Sequence, residues 1–521
     1  MKSIRPIVPL VCLATLCAAT AVAQDPAEPA PADPNAQRLT LQNAIEMAIE
    51  NNLDVLVSRL DTEVRAAGIV SAEGVYQPFF SAAFNTFESS SPAQTQLVGA
   101  QTLTSARSNY NFTWQQQIAT GGNYNVQWLN LRSTTNSAFA GFNPLYDTGL
   151  SASITQPLMA NFGTDQNKQQ ITLAQNNERI SRRQFEVQVM NTVRDVEFAY
   201  WDLVFAIRDL EVAQTSLELA QDLLRNNRIQ VEVGTMAPID VLEAEAEVAA
   251  REETVILAEE AIRITEDILK RLINDPTSSE FWDQSYNPTD QPTISTVEID
   301  IDESVRTALT RRPVLDQSRV ELETRNYNLR FSENQLKPQV DVVGSLVFNG
   351  IGGTQLVREG FAGEPSLIIP GGYGDAIDQV FGGDFRDWSL GLNVSYPLGN
   401  SQARAQHAQA QVAERQQQAL INSNELLIAQ EVRTAARAVQ TNRKRIDATR
   451  VARDLATRRL EAEQKKFEVG MSTSFLIVQA QRDLSQAAAN ELRALIDFVK
   501  AIAAFERARG TILDAPNIRL R

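Results

Sequence analysis

The chain has 521 residues, a formal net charge of −16 at neutral pH, one histidine and two cysteines. So acidic a balance argues against nucleic acid as a partner. Cys12 and Cys17 both lie near the N-terminus, so the remainder can form neither a disulfide nor a thiolate metal site. No later run is long and apolar enough for a transmembrane helix, and any passage through a membrane must be made by strands.

The first residues, MKSIRPIVPLVCLATLCAATAVAQ, read as a secretory signal over 1–23. Lys2 and Arg5 form the charged start, Ile7 to Ala19 the apolar stretch, and Ala21 and Ala23 the small-residue cleavage site. A membrane anchor is the alternative, but the apolar run is short and Pro9 interrupts it. Leu16 immediately before Cys17 does not fit a lipidation site. Loss of Lys2 and Arg5 takes the formal charge from −16 to −18. Residues 24–38 are rich in Pro, Ala and Asp and read as a disordered N-terminal segment.

From there the chain writes one unit twice. QNAIEMAIENNLDVLVSRL from Gln42 aligns without a gap on DESVRTALTRRPVLDQSRV from Asp302, with Ala48 on Ala308 and Pro78 on Pro338, a constant offset of 260. Pro157-Leu158 and Pro397-Leu398 match at an offset of 240, so the first copy carries twenty extra residues between its two prolines. From Gly163 and Gly399 onward the offset is 236, which brings VEVGTMAPIDVLEAE (231–245) onto FEVGMSTSFLIVQAQ (467–481). The first repeat is read as 39–274, a linker as 275–299, the second repeat as 300–510 and a tail as 511–521.

Each copy predicts helix, strands, very long helix, turn and shorter helix. The opening helix is expected from Leu41 to Gly74, and its second-copy equivalent after Asp300, which has capping-box spacing to Glu303. Long helices are predicted over 167–231 and 404–467, each about 100 Å at 1.5 Å per residue. Shorter ones follow over 238–274 and 474–510. In the first long helix Val193, Val196, Tyr200, Leu203, Ile207, Leu210, Leu217 and Leu224 fall on alternating three- and four-residue steps. Ala199, Ala206, Ala213 and Ala220 form a second seam. Two seams suit a wall in which each helix touches two neighbours; an antiparallel coiled coil fits this pattern equally well.

Between opening and long helices the sequence alternates strictly. Trp388, Leu390, Leu392, Val394 and Tyr396 interleave with Ser and Asn, as do Tyr110, Phe112 and Trp114, Tyr124, Val126 and Trp128, and Leu150, Ala152 and Ile154. A soluble sheet also alternates. Aromatic ends on the apolar face, a signal peptide and the lack of cysteine favour a transmembrane barrel. IATGGNY (118–124) puts a turn between two such strands, so the extra residues of the first copy predict an additional hairpin there. The second copy has a Gly-rich connection over 349–384, expected as an outer surface loop, and DPTSSEFWDQSYNPTDQPT between the copies is expected to be unpacked.

Taken in this order and duplicated, LTLQNAIEMAIENNLDV (39–55), the QPL and YPLGN strand ends and the paired VGT and VGM turns resemble the TolC-type outer membrane efflux and secretion channels, the outer membrane factor family, over nearly the whole mature chain. The resemblance implies an α+β membrane protein: a homotrimer whose strands form one shared β-barrel in outer membrane lipid and whose helices form a tunnel across the periplasm. It further implies a periplasmic adaptor (membrane fusion protein) and an inner-membrane transporter as partners. It places the turn after each long helix at the periplasmic tip, which assigns Val233, Gly234, Thr235, Asp240 and Glu243 of the first copy, and Val469, Gly470, Met471, Leu476 and Gln479 of the second, to adaptor docking. Many members carry aspartates just after the second turn. Leu476 and Gln479 stand there instead, while the first copy keeps Asp240 and Glu243, so an acidic entrance ring is in doubt for half the tip.

No enzyme signature is present: GxSxG, HExxH and phosphate-loop patterns are all missing, and His407 stands alone in a Gln- and Ala-rich helix without metal-binding partners. Neither catalysis, cofactor nor metal is expected, and energy for export must come from another protein. The alternative from another class is a periplasmic coiled-coil or adaptor protein without a pore, but an adaptor has one helical hairpin where this chain has two and barrel strands besides.

Overall fold

A computed structural model describes residues 36–93, 99–279, 281–294, 299–359 and 364–514. The proposed signal and its cleavage residues, Ala21 and Ala23, lie outside them.

The first copy opens with β1 (Gln37–Leu39), α1 (Leu41–Asn51) and α2 (Leu53–Glu73). The expected single opening helix is therefore two. Asn52 breaks it with extended backbone, and its side chain accepts the amide hydrogens of Asp54 and Val55 as the cap of α2. Four long strands follow: β2 (Phe79–Pro92), β3 (Thr102–Gln117), β4 (Asn123–Thr135) and β5 (Phe142–Pro157). A short α3 (Thr164–Asn167) leads into α4 (Gln169–Glu232), 64 residues long, and the hairpin returns as α5 (Pro238–Ile273).

The junction between copies is not unpacked. It contains β6 (Tyr286–Pro288), which pairs in parallel with β1, so Gln37 and Arg38 also belong to ordered structure. Tyr200 fixes this strap: its hydroxyl donates to an Asp290 carboxylate oxygen at 2.7 Å and lies 3.0 Å from the Leu39 carbonyl. An apolar core of Val193, Val196, Leu203, Leu269 and Ile273 surrounds it.

The second copy runs α6 (Ile301–Arg311), α7 (Pro313–Asn334), β7 (Gln339–Val357), β8 (Leu367–Ile369), α8 (Tyr373–Gly382), β9 (Phe385–Ser395), α9 (Ser401–Glu468) and α10 (Ser474–Arg509). Asp300 caps α6 through the amides of Asp302 and Glu303. The break at Arg312 is the counterpart of Asn52, and Pro313 starts the next helix where no amide donor is needed. In both copies the break meets the end of a shorter helix: Asn51 and Asn52 donate to the carbonyls of Ile273 and Leu272, and Arg312 donates to that of Ala508. The column beside each long helix is thus two helices stacked end to end. Thr511 and Ile512, read as tail, are buried, Ile512 in the same apolar core as Tyr200, and Asp514 pairs with Arg311.

In the helical wall α4 packs on α2 and α5 along one side and on α7 and α10 along the other; α9 packs on α7 and α10. Both seams of α4 are occupied. Val193, Val196, Tyr200 and Leu203 are buried, as are Ala199, Ala206, Ala213 and Ala220. The heptad line loosens beyond Leu203, where Ile207, Leu210, Leu217 and Leu224 are only half-buried.

The sheet is antiparallel in the order β2-β3-β4-β5-β7, with β8 and β9 both on β7. The turn over 118–122 does join two long strands, as the extra residues predicted. One face collects Phe80, Phe84, Phe112, Trp114, Val126, Trp128, Leu150 and Ile154, continued by Leu346, Trp388, Leu390 and Leu392. The opposite face carries Asn111, Thr113, Gln127, Ser151, Ser153, Ser345, Ser389 and Asn393.

The 349–384 connection differs from the expected loop. β7 continues to Val357, and α8 lies on the apolar face of the sheet, burying Ala376 and Val380. Glycine is required beneath it: a Cβ at Gly350 would stand 2.0 Å from the Ala376 carbonyl oxygen, and one at Gly352 2.2 Å from that of Gly372. Tyr373 of α8 donates to Asn130 at 2.6 Å, which also accepts from Thr148 at 2.6 Å, and Trp128 donates to Thr148 at 3.1 Å. A polar cluster on an otherwise apolar face is thereby covered and satisfied.

Candidate functional site

The helical hairpins α4–α5 and α9–α10 end side by side, at the far end of the long helices from the sheet. Gly234 and Gly470 occupy the same position in the two turns, with φ of 80° and 74°. Both turns carry the full double hydrogen bond of a left-handed helix stop: Thr235 N to Gln230 O (2.9 Å) with Gly234 N to Val231 O (3.0 Å), and Met471 N to Lys466 O (2.7 Å) with Gly470 N to Phe467 O (2.9 Å). Pro238 then opens α5, and the Thr473 hydroxyl caps α10 at the Leu476 amide. The repeated phrase is repeated because it encodes one turn twice.

The turns present apolar side chains to solvent in a single protomer. Met471 is 78% exposed, and Val233, Val469, Ile239, Leu242 and Phe475 are exposed as well. Glu243, Leu476 and Gln479 point outward near them, while Asp240 is half-buried. Among the described residues, beyond each glycine and its chain neighbours, no heavy atom lies within 4 Å of a Cβ built on Gly234 or Gly470. These glycines therefore serve backbone conformation, not close packing within the chain.

Just above the turns lie residues that the sequence reading missed. Asn227 is fully buried and donates to Ser474 Oγ at 2.7 Å, tying the first hairpin to the second. Further along the hairpin, Glu247 of α5 is only 2% exposed and accepts from Arg251 (2.7 Å) and Arg482 of α10 (3.0 Å from Nε). Burial pushes its carboxyl up, but the hydrogen bonds from Arg482 and Arg251 outweigh burial and hold it below the ordinary range. A signal was available, since Glu247 shares the inward phase of the α5 alanines Ala244 and Ala258. At the second turn Lys466 and Ser472 both donate to Glu463 (2.7 and 2.8 Å), lowering its pKa. The tip is held by ion pairs, though at Glu247 and Glu463 and not at the positions after the second turn.

His407 reaches across to α7, within 3.2 Å of Ser332 Oγ, and Gln411 lies 3.0 Å from its other ring nitrogen. It bridges two helices. Among the described residues no group of His, Cys, Asp or Glu is arranged to hold a metal, and no helix is long and apolar enough to cross a membrane.

The sequence model of the outer membrane efflux proteins matches residues 44–275 and 305–511, nearly all of both repeats. The chain belongs to the outer membrane efflux protein family. A search of curated proteins finds no significant match. Among solved structures it is similar to a Pseudomonas aeruginosa membrane protein (16% identity, TM-score 0.65, covering 90% of this chain and 93% of that one). The Campylobacter jejuni CmeC outer membrane channel is similar too (16%, 0.64, 91% and 86%), as is the open state of the Neisseria gonorrhoeae MtrE outer membrane channel (17%, 0.61, 91% and 89%). At such identities the likeness concerns the fold. Family membership places this efflux protein in the outer membrane, with its helices extending into the periplasm.

Proposed function

We propose that this efflux protein is the passive exit duct of a tripartite export system: a homotrimer whose tip receives a periplasmic adaptor (membrane fusion protein), which couples it to an inner-membrane transporter. The observation that carries the reading is the agreement of two sets of unpaired edges. In the helical wall the outer columns are α2 with α5 at one end and α9 at the other. In the sheet the outermost long strands are β2, which follows α2, and β9, which leads into α9. One side of the protomer thus leaves both a strand edge and a helix face open, and so does the other side. A ring in which β9 and α9 of one copy meet β2, α2 and α5 of the next closes both layers at once. β9 and β2 run in opposite directions, so the new pairing continues the antiparallel pattern. The number three comes from the family resemblance.

In this ring the docking surface is the circle of turns, with Val233, Gly234, Thr235, Asp240, Glu243, Val469, Gly470, Met471, Leu476 and Gln479 facing the adaptor. The exposed Val233, Val469 and Met471 supply apolar contact, and the left-handed glycines fix the height at which they stand. Replacing Gly234 and Gly470 together by Val forces a β-branched residue into a conformation that costs roughly 1–2 kcal/mol at each turn. The membrane sector lies about 100 Å away along α4. Three-subunit species in the outer membrane fraction are expected to persist, while adaptor cross-linking and export fall. Wild-type export from a normally assembled double variant would reduce the glycines to turn formers. Recovery of the wild type as a soluble periplasmic monomer would remove the whole reading.

A further inference from the structure

The two open edges of the sheet, β2 and β9, are not level with one another. A row of directly paired residues crosses the six long strands between them: Phe79, Gln115, Asn125, Ser153, Ser345 and Ser389. The row starts at the first residue of β2 but meets β9 six residues before its end at Ser395. The helix-side ends of the strands therefore drop by six residues across one protomer. A neighbouring copy whose Phe79 stands beside Ser395 makes the stagger six residues for six strand spacings. At about 3.3 Å per residue and about 4.8 Å per strand, that is a tilt of about 35°, within what a closed barrel requires. A copy whose Phe79 stood beside Ser389 would give no tilt and leave 390–395 of β9 unpaired.

The apolar face of these six strands carries three charged side chains in its paired segments: Glu88 on β2, Arg132 on β4 and Arg386 on β9. Two of the three thus stand on the open edges, with opposite signs. Both are exposed, and among the described residues neither the Glu88 nor the Arg386 side chain has an ion-pair or hydrogen-bond partner. They also stand at one height. Arg386 is nine residues above Ser395, and Glu88 is nine above Phe79. With the rise and tilt just given, both lie about 25 Å from the helix-side ends, at the outer rim of a barrel's apolar band. We infer that β9 of one copy pairs with β2 of the next in the register that sets Ser395 opposite Phe79, and that an ion pair between Arg386 and Glu88 of the next copy closes the seam at its outer rim. The inference rests on the ring proposed above and supplies its register.

Both faces of the sheet continue across this seam. Leu390, Leu392 and Val394 come beside Phe84, Ala82 and Phe80 of the next copy on the apolar face, and Ser389 and Asn393 beside its Asn85 and Ser81 on the polar one. A slip of one residue sets apolar against polar along the whole strand. Slipping by two, so that Ser395 meets Ser81, keeps the faces but puts Trp388 opposite Glu88 and Arg386 opposite Ser90. The opposite slip leaves Val394 and Ser395 beyond the start of β2. Opposite charges directly across an antiparallel pair stabilise it, and their attraction is stronger at a low-dielectric boundary than in water. The charges therefore choose among registers that the faces alone leave open.

Cys12 and Cys17, both within the proposed signal, are the only native cysteines, so pairs can be introduced on the polar face. Asn85 and Ser389 lie on opposite edges of one copy, and a disulfide between them must join two copies. Asn85→Cys with Ser389→Cys and Ala83→Cys with Gly391→Cys sample both classes of directly opposed position. Phe87→Cys with Ser389→Cys and Asn85→Cys with Gly391→Cys are their counterparts in the two-residue slip. Opposed Cβ atoms are about 4.5–5.5 Å apart and diagonal ones about 7–8 Å, so on oxidation the first two variants are expected to give several-fold more linked dimer and trimer on a denaturing gel. Linking chiefly in the slipped pairs, or in none of the four although trimers form in the outer membrane, would overturn the register and leave the duct reading intact. Failure of the wild type to form outer-membrane trimers would count against the duct reading itself. An independent series needs no cysteine. Arg386→Glu alone and Glu88→Arg alone set like charges opposite each other, and each is expected to lower the temperature at which the solubilised trimer dissociates. The two together are expected to restore it; a double variant no more heat-resistant than the weaker single one would overturn the ion pair.

Discussion

A single carboxyl shows what the tight helical wall costs. Glu197 of α4 is pushed up to about 7 from 4.5, first by burial and then by the Glu506 carboxylate on α10. Folding raises this pKa, so the folded state holds more protons than the unfolded one between about pH 4.5 and 7, and stability falls as pH rises through that window. Each tenfold change in proton affinity is worth about 1.4 kcal/mol, so the loss above pH 7 is of the order of 3–4 kcal/mol per protomer. Glu197→Gln removes the charge and keeps the shape. Its thermal midpoint is expected to exceed that of the wild type at pH 8 and to match it at pH 5. A constant difference at both pH values would mean that Glu197 is not protonated on folding. Glu247 is the opposite case: its two arginines hold it ionised, and its contribution is lost only under acid conditions, as pH falls through its lowered pKa.

At the scale of elements, β9 states the membrane orientation most plainly. Trp388 is 74% exposed in the single protomer, and Leu390, Leu392 and Val394 follow it on the same face, with Ser389 and Asn393 opposite. Leu392→Arg near the bilayer midplane is expected to destabilise the folded barrel by roughly 2–4 kcal/mol, whereas Asn393→Arg, facing the lumen, is tolerated. Heat stability of the detergent-solubilised trimer on a gel separates the two. Equal loss from both would mean that the polar face does not line water. α8 fits the same orientation, since it covers the Asn130 and Thr148 polar cluster on the face given to lipid, where an uncovered polar group is costly.

For the whole molecule the decisive feature is what one protomer leaves open. Along α2, Leu53, Val57, Leu60 and Val64 form an exposed stripe at three- and four-residue steps; Val64 is 66% exposed although α2 packs closely on α4 along its other side. On α9, Val412, Leu420 and Leu427 are exposed in the single protomer. In the proposed ring these two stripes would meet. Full burial of a Val side chain is worth about 1.5–3 kcal/mol, and the ring repeats each contact at every interface. Val57→Glu with Val64→Glu is therefore expected to abolish cross-linked three-subunit species while the circular dichroism of the helices is retained. Undiminished trimer would place the interface elsewhere.

The sequence by itself determined the duplication, the two long helices with their seams, the strand faces and both tip turns. Each of these is local: a period of two or of three and four, or a Gly where φ must be positive, is written within a dozen residues of where it acts. It did not determine the breaks at Asn52 and Arg312, because each break is stabilised by the end of a helix more than a hundred residues away. The docked strap at Tyr286–Pro288 was hidden likewise, since its polar, Pro-rich composition reads as linker until Tyr200 and β1 are brought beside it. The 349–384 connection read as a loop because its glycines suggest looseness, when Gly350 and Gly352 are there to let α8 lie flat on the sheet. The ion pair of Glu247 with Arg482 and the carboxylate pair of Glu197 and Glu506 join different repeats. Periodicity gives the face a residue occupies, but only the packing of α4 and α5 against α10 decides which charge it meets there.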